Sequence, residues 1–127
     1  MKTNTSPLPF LARLISTSLA VIIVAYLLPG VAVESVLSAI GIAVVLAILN
    51  TFIKPLLVLL TLPITLLTMG LFLLVINALI ILLAAEIVPG FSIDGFWWAV
   101  LFSIILSIVV SVLESVQTAA TSNENED

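Results

Sequence analysis

The stretch Asn50–Asn77, NTFIKPLLVLLTLPITLLTMGLFLLVIN, decides how this chain folds. It is too apolar for a loop. Lys54, Pro55, Pro63 and Gly70 interrupt it, which argues against one straight helix. Between Lys54 and Gly70 the apolar portion is about fifteen residues, roughly 22 Å as a helix, short of a hydrocarbon core of about 30 Å. Pro63 also removes a backbone donor midway. A segment this short and broken predicts a re-entrant or interfacial helical insert that does not cross a bilayer. Irregular backbone at that depth must be covered by protein or a wet cavity, because lipid offers it no hydrogen bonds.

The apolar runs on either side of the insert approach or exceed the length of a bilayer span. The chain of 127 residues is 63% hydrophobic and 8% charged, whereas a soluble domain carries about a quarter charged residues to cover its surface. The composition therefore predicts an all-α membrane protein of four transmembrane helices. The first span covers about Leu8 to Leu28 and the second about Ser35 to Ile53. The third starts near Leu71, and the fourth covers about Gly95 to Leu113. Lys2 and Arg13 ahead of an apolar core also fit a signal peptide. No A-x-A cleavage site follows, however, and the sequence after the span recurs later. Arg13 is expected to snorkel to the near headgroups.

That recurrence pairs Leu28-Pro29-Gly30-Val31-Ala32-Val33-Glu34-Ser35 with Val88-Pro89-Gly90-Phe91-Ser92-Ile93-Asp94-Gly95. Pro29-Gly30 and Pro89-Gly90 each stop a helix, through a missing N–H and a glycine tolerant of positive φ. The following β-branched residue favours extended backbone, and the acid is placed to cap the next helix. In the same register, Ala39, Ala43, Ala47 and Thr51 match Ala99, Ser103, Ser107 and Ser111. Each row lies on one helix face, and small residues at that spacing let backbones approach closely in a membrane. The second and fourth spans are thus expected to cross through these rows. The domain reading is a polar segment 1–7, one membrane domain 8–116 and an acidic disordered tail 117–127. The membrane domain divides into repeat 8–53, insert 54–70 and repeat 71–116. Two spans per half make the hairpins parallel repeats about an axis along the membrane normal.

With a non-crossing insert, Lys2, Arg13 and Lys54 fall on one side, which the positive-inside rule makes cytoplasmic. Both termini are then cytoplasmic, and Tyr26, Trp97 and Trp98 form an aromatic belt at the outer interface.

The pattern Asn50-x-x-Ile53-Lys54-Pro55-Leu56-Leu57, the run Leu60-Thr61-Leu62-Pro63-Ile64-Thr65-Leu66-Leu67-Thr68-Met69-Gly70-Leu71-Phe72, then Val75-Ile76-Asn77-Ala78-Leu79 and Val88-Pro89-Gly90-Phe91 together resemble the mycobacterial-type four-transmembrane phage holin family, superfamily IV. The resemblance covers about residues 8 to 116. It implies a small integral protein of the bacterial inner membrane. Two roles stay open: a self-associating structural or envelope protein, partnered by its own copies or another membrane protein, and a holin-type pore-former. A small transporter is a third reading, weakened by the lack of an ionisable residue deep in a span.

With no cysteine, no histidine and only scattered acids, the sequence offers no metal site, nucleophile–base pair or cofactor motif. It predicts a non-enzymatic protein with no cofactor. A net charge of −4 gives nothing to attract nucleic acid. The residues singled out are Pro29, Gly30, Asn50, Lys54, Pro55, Pro63, Gly70, Asn77, Pro89 and Gly90. Asn50 and Asn77, whose carboxamides need partners in lipid, are expected to tie the insert's backbone to the spans.

Overall fold

The computed structural model describes residues 8–126, and the side chains from 9 to 117. Helix α1 spans Leu8–Leu27 and leads through the first Pro-Gly turn into strand β1, Val31–Val33. Helix α2, Val36–Ile48, passes through a π-helical turn, Leu49–Ile53, into α3, Lys54–Leu60. After α4, Leu62–Leu67, come α5, Phe72–Ile87, strand β2, Phe91–Ile93, and α6, Phe96–Glu126. Helices α1 and α2 pack together, as do α5 and α6, and α1 against α6 and α2 against α5 close the ring. Among the described residues, three helical stretches are long and apolar enough to cross a bilayer: Pro9–Leu27, Val36–Leu60 and Phe96–Gln117. The fourth, α5, has 16 residues, or about 24 Å.

The two Pro-Gly motifs pair with each other. Strands β1 and β2 form an antiparallel ribbon in the register Val31↔Ile93, Ala32↔Ser92 and Val33↔Phe91. Two flanking bonds extend it, Glu34 N–H to the Gly90 carbonyl and Asp94 N–H to the Gly30 carbonyl, both 2.9 Å. The β-branched residues thus stand in extended backbone, as the motif suggests. The first octet departs from the motif's other two expectations. The cap of α2 is Ser35, whose hydroxyl accepts from Ser38 N–H at 3.1 Å, and not the acid before it. Of the two glycines that follow a proline, only Gly90 has positive φ, +84°. Gly30 is required by proximity instead, since a Cβ there would overlap the Trp98 ring.

The core repeats at the spacing of the motif. Ser16, Ser18, Ala20, Val21, Val24 and Leu28 are buried on α1 and the turn after it. Sixty positions on, Ile76, Ala78, Ile80, Ile81, Ala84 and Val88 are buried too. Ala39, Ile42, Ala43 and Leu46 on α2 correspond likewise to Ala99, Phe102, Ser103 and Leu106 on α6. Phe102 also meets Phe91 of the ribbon with ring centroids 5.6 Å apart.

The insert departs from its expected outline. The second helix does not end at Ile53 but runs on through the π-turn to Leu60. Pro55 has no N–H and its ring excludes the carbonyl of Thr51. The preceding π-turn, in which Lys54 N–H reaches back to the Leu49 carbonyl, widens the ladder just where that carbonyl must be left aside. The break falls at Thr61, φ −105° and ψ 16°, two residues before Pro63. Proline is tolerated in a first helical turn, so Pro63 opens α4 and the chain turns ahead of it. The return to α5 is a Schellman-type turn: Gly70 N–H bonds the Thr65 carbonyl at 2.8 Å and Met69 N–H the Leu66 carbonyl at 3.1 Å. Gly70 has φ +90°.

The tail also differs. Helix α6 carries helical backbone past Val116 to Glu126, where the acidic composition suggests disorder. Residues added to an existing helix need no new nucleus, and Ala119 and Ala120 favour its continuation. The polar segment 1–7, with Lys2, lies outside the described residues.

Candidate functional site

The end opposite the ribbon is where polar side chains gather. Val36 to Lys54 is 18 residue steps on one continuous helix, about 27 Å. Phe96 to Glu114 is the same distance on α6. The two charges therefore stand at one level, and Arg13, near the start of α1, is 3.7 Å from the Glu114 carboxylate. Arg13 is thus paired across to α6, where the sequence suggests only a snorkelling side chain. The adjacent Ser16 hydroxyl donates to Gln117 Oε1 at 3.3 Å, a second tie between α1 and α6.

The small-residue rows do not bring α2 and α6 together along their length. Towards the ribbon, Ala39, Ala43, Ala99 and Ser103 are buried. Further from it, Ala47, Thr51, Ser107 and Ser111 line a cleft of about 560 Å³ between α1, α2 and α6. The helix pairs that pack closely are α1 with α2, α5 with α6, α1 with α6 and α2 with α5. The expected crossing of the second and fourth spans is corrected accordingly. The large, fully buried side chains Ile42 and Phe102 occupy corresponding positions on α2 and α6 and fill the middle of the bundle.

Arg13 and Glu114 lie at the mouth of this cleft with Thr17 and Asn50, and Ala43, Leu46 and Leu106 line it further in. A smaller cavity of about 90 Å³ lies on the other side, between α2, α5 and α6. Asn77, Lys54 and Ser103 line it, and Asn50 faces both spaces. The structure therefore brings Asn50, Asn77 and Lys54 together. Among the described residues neither carboxamide forms a side-chain hydrogen bond to the insert. The insert's hydroxyls bond their own helix instead, Thr61 Oγ1 to the Leu57 carbonyl at 2.7 Å and Thr68 Oγ1 to the Ile64 carbonyl at 3.0 Å. The Thr65 hydroxyl is buried and has no hydrogen-bond partner among the described residues. Pro55 and Pro63 are exposed and shape the backbone.

Pro29, Gly30, Pro89 and Gly90 lie at the ribbon end, far from the cleft in their helices. Pro89 offers its carbonyl to the Ser38 hydroxyl at 3.0 Å. A Cβ at Gly90 would press on that same hydroxyl, so the glycine is needed for space as well as for φ. Tyr26 and Trp97 are exposed at this end, while Trp98 turns in over Gly30. Sequence reasoning missed Glu114. Its signal was available, because it stands sixty positions after Lys54 and continues the repeat one residue beyond the span assigned to it.

Among the described residues no three His, Cys, Asp or Glu side chains come together to hold a metal ion. Residues 8–112 match the family described as mycobacterial four-transmembrane-segment phage holin, superfamily IV. The chain belongs to this family. It is 43% identical over 96 residues to an uncharacterised membrane protein of Bacillus subtilis, YvlD, covering 75% of this chain and 80% of the relative. It is 37% identical over 110 residues to an uncharacterised protein of Streptomyces coelicolor, covering 79% of this chain and 88% of that one. No solved structure matches it. This member of the holin-like family is a small, multi-pass helical membrane protein in contact with the lipid bilayer.

Proposed function

We propose that the protein is a non-enzymatic, self-associating structural component of the bacterial inner membrane. The observation that carries this reading is the filled centre of the bundle. Ile42 and Phe102 are fully buried and Ile76 is 1% exposed, so the helices of one chain enclose packed side chains rather than a conduit. The paired ribbon and the burial pattern repeated at sixty residues support two parallel hairpins related by a pseudo-two-fold axis along the membrane normal. The insert α3–α4 is read as interfacial. It exposes Leu59, Leu60, Leu66 and Leu67 beyond the level of Lys54, an apolar surface suited to the headgroup–acyl boundary or to a second copy. Lys54 and Arg13 at this end support cytoplasmic termini, with the ribbon outside.

A holin-type pore-former is the second reading. The polar wall of the cleft, with Thr17, Asn50, Ser107 and Ser111 on one side of the bundle, favours it, since copies facing one another would bring such walls together around water. Induced expression, with membrane potential and dye entry followed together, separates the two. The structural reading expects the protein to accumulate with the potential intact. Collapse of the potential with dye entry at matched abundance overturns it in favour of the pore. Cysteines replacing Ser92 and Ser122, probed with an impermeant thiol reagent in intact cells, check orientation. Labelling at position 92 alone is expected, and labelling at 122 alone inverts the topology.

A further inference from the structure

The cleft between α1, α2 and α6 carries its charges at the mouth, where Phe10 and Leu14 flank Arg13, and apolar side chains at its inner end. Its mouth holds one cation and one anion, Arg13 and Glu114, beside the Asn50 carboxamide. From Thr51 in the π-turn back to Ala43 on α2 it runs eight residues towards mid-membrane, about 12 Å, and becomes apolar at Ala43, Leu46 and Leu106. Its volume of about 560 Å³ falls within the usual range for small-molecule sites. The small side chains of Ala43, Ala47 and Ser107 create the width. A leucine at Ala47 or Ser107 would take up space that now lies open beside α1.

The charges select the headgroup. Arg13 and Glu114 are 3.7 Å apart, with side chains 70% and 37% exposed, so their pairing is loose and each retains capacity for a further partner. A guanidinium binds phosphate oxygens in a fork, and a carboxylate accepts from a primary ammonium. The related cavity across the bundle lacks this combination. Leu73 stands where Arg13 would repeat, Lys54 where Glu114 would, and the space shrinks to about 90 Å³. One side alone thus presents both signs next to an acyl-sized groove.

We propose that this cleft is a binding site for one phospholipid with a zwitterionic primary-amine headgroup, ethanolamine phosphate. Arg13 holds the phosphate and Glu114 the ammonium. One acyl chain lies along Ala43, Ala47 and Ser107. The site does not depend on whether the protein is passive or forms a pore.

The full chain, purified in mild detergent and stripped of lipid, is titrated with phosphatidylethanolamine, phosphatidylcholine and phosphatidylglycerol of identical acyl chains. Native mass spectrometry reads stoichiometry, and thermal denaturation reads stabilisation. The expected result is one phosphatidylethanolamine per chain, bound about tenfold tighter than the other two, as the loss of one charge-assisted hydrogen bond would give. Glu114→Gln should abolish the preference over phosphatidylglycerol. Ser107→Leu and Ala47→Leu should lose the bound lipid while melting, lipid-free, like the parent. Equal binding of all three lipids, a preference for the anionic one, or retention by both cleft-filling variants overturns the proposal.

Discussion

The ribbon end and the cleft end of the bundle are made from the same two rows of small residues, and they pack in opposite ways. Ala39, Ala43, Ala99 and Ser103 are buried near the ribbon. Ala47, Thr51, Ser107 and Ser111, one or two turns further along the same faces, border open space. Small side chains permit close approach but do not supply the force that closes it. At the ribbon end that force comes from other groups: paired strands, the Glu34–Gly90 and Asp94–Gly30 backbone bonds, and the Ser38 hydroxyl on Pro89. At the far end the described ties are the Arg13–Glu114 pair and the Ser16–Gln117 bond, both on the α1–α6 side. Beyond the π-turn at Leu49–Ile53, α3 packs against α5.

The largest effect should come from the closed half. Phe102→Ala removes a fully buried ring that touches the ribbon through Phe91. It should cost about 3–5 kcal/mol, the range for aromatic truncation in a core, measured by reversible unfolding in mixed detergent. A loss comparable to that of an exposed site would mean that the middle of the bundle is loose, and the contrast between the ends would vanish.

A sharper comparison uses two alanines one turn apart. Ala43→Leu should overpack the ribbon half at about 1–3 kcal/mol. Ala47→Leu should stay within about 0.5 kcal/mol, as substitutions away from packed features do. Equal costs would show the cleft closed in the membrane. Equal tolerance would show the ribbon half open.

The smallest effect is electrostatic. Arg13→Gln breaks an ion pair that is largely exposed, a class worth about 0.2–1 kcal/mol and weakened by salt. The difference from the parent should shrink between low and high ionic strength. A salt-independent loss of several kcal/mol would mean that the pair is buried and holds α1 to α6.

Much of this architecture was legible because it is local. The repeated Pro-Gly octets announced two similar turns, and the valine and isoleucine after them announced extended backbone, because proline, glycine and β-branching act on the residues that carry them. The family resemblance was legible in the Asn50–Asn77 stretch, and the match over residues 8–112 agrees with it. Of the site, Asn50, Lys54 and Asn77 were legible as polar residues flanking the insert. Their meeting in one cavity with Ser103 was not, because it depends on how α5 docks on α2 and α6.

The sequence by itself determined the class: apolar runs too long and too sparsely charged for water. Tertiary structure alone decided three things. The two motifs hydrogen-bond to each other, the second helix runs through Pro55 and breaks at Thr61, and the small-residue rows part to leave a cleft. Each rests on contacts between segments distant in the chain, or on a choice between helical ladders that differ by one residue. Propensity and periodicity describe a segment against its own neighbours, and they leave open which faces meet and where space remains.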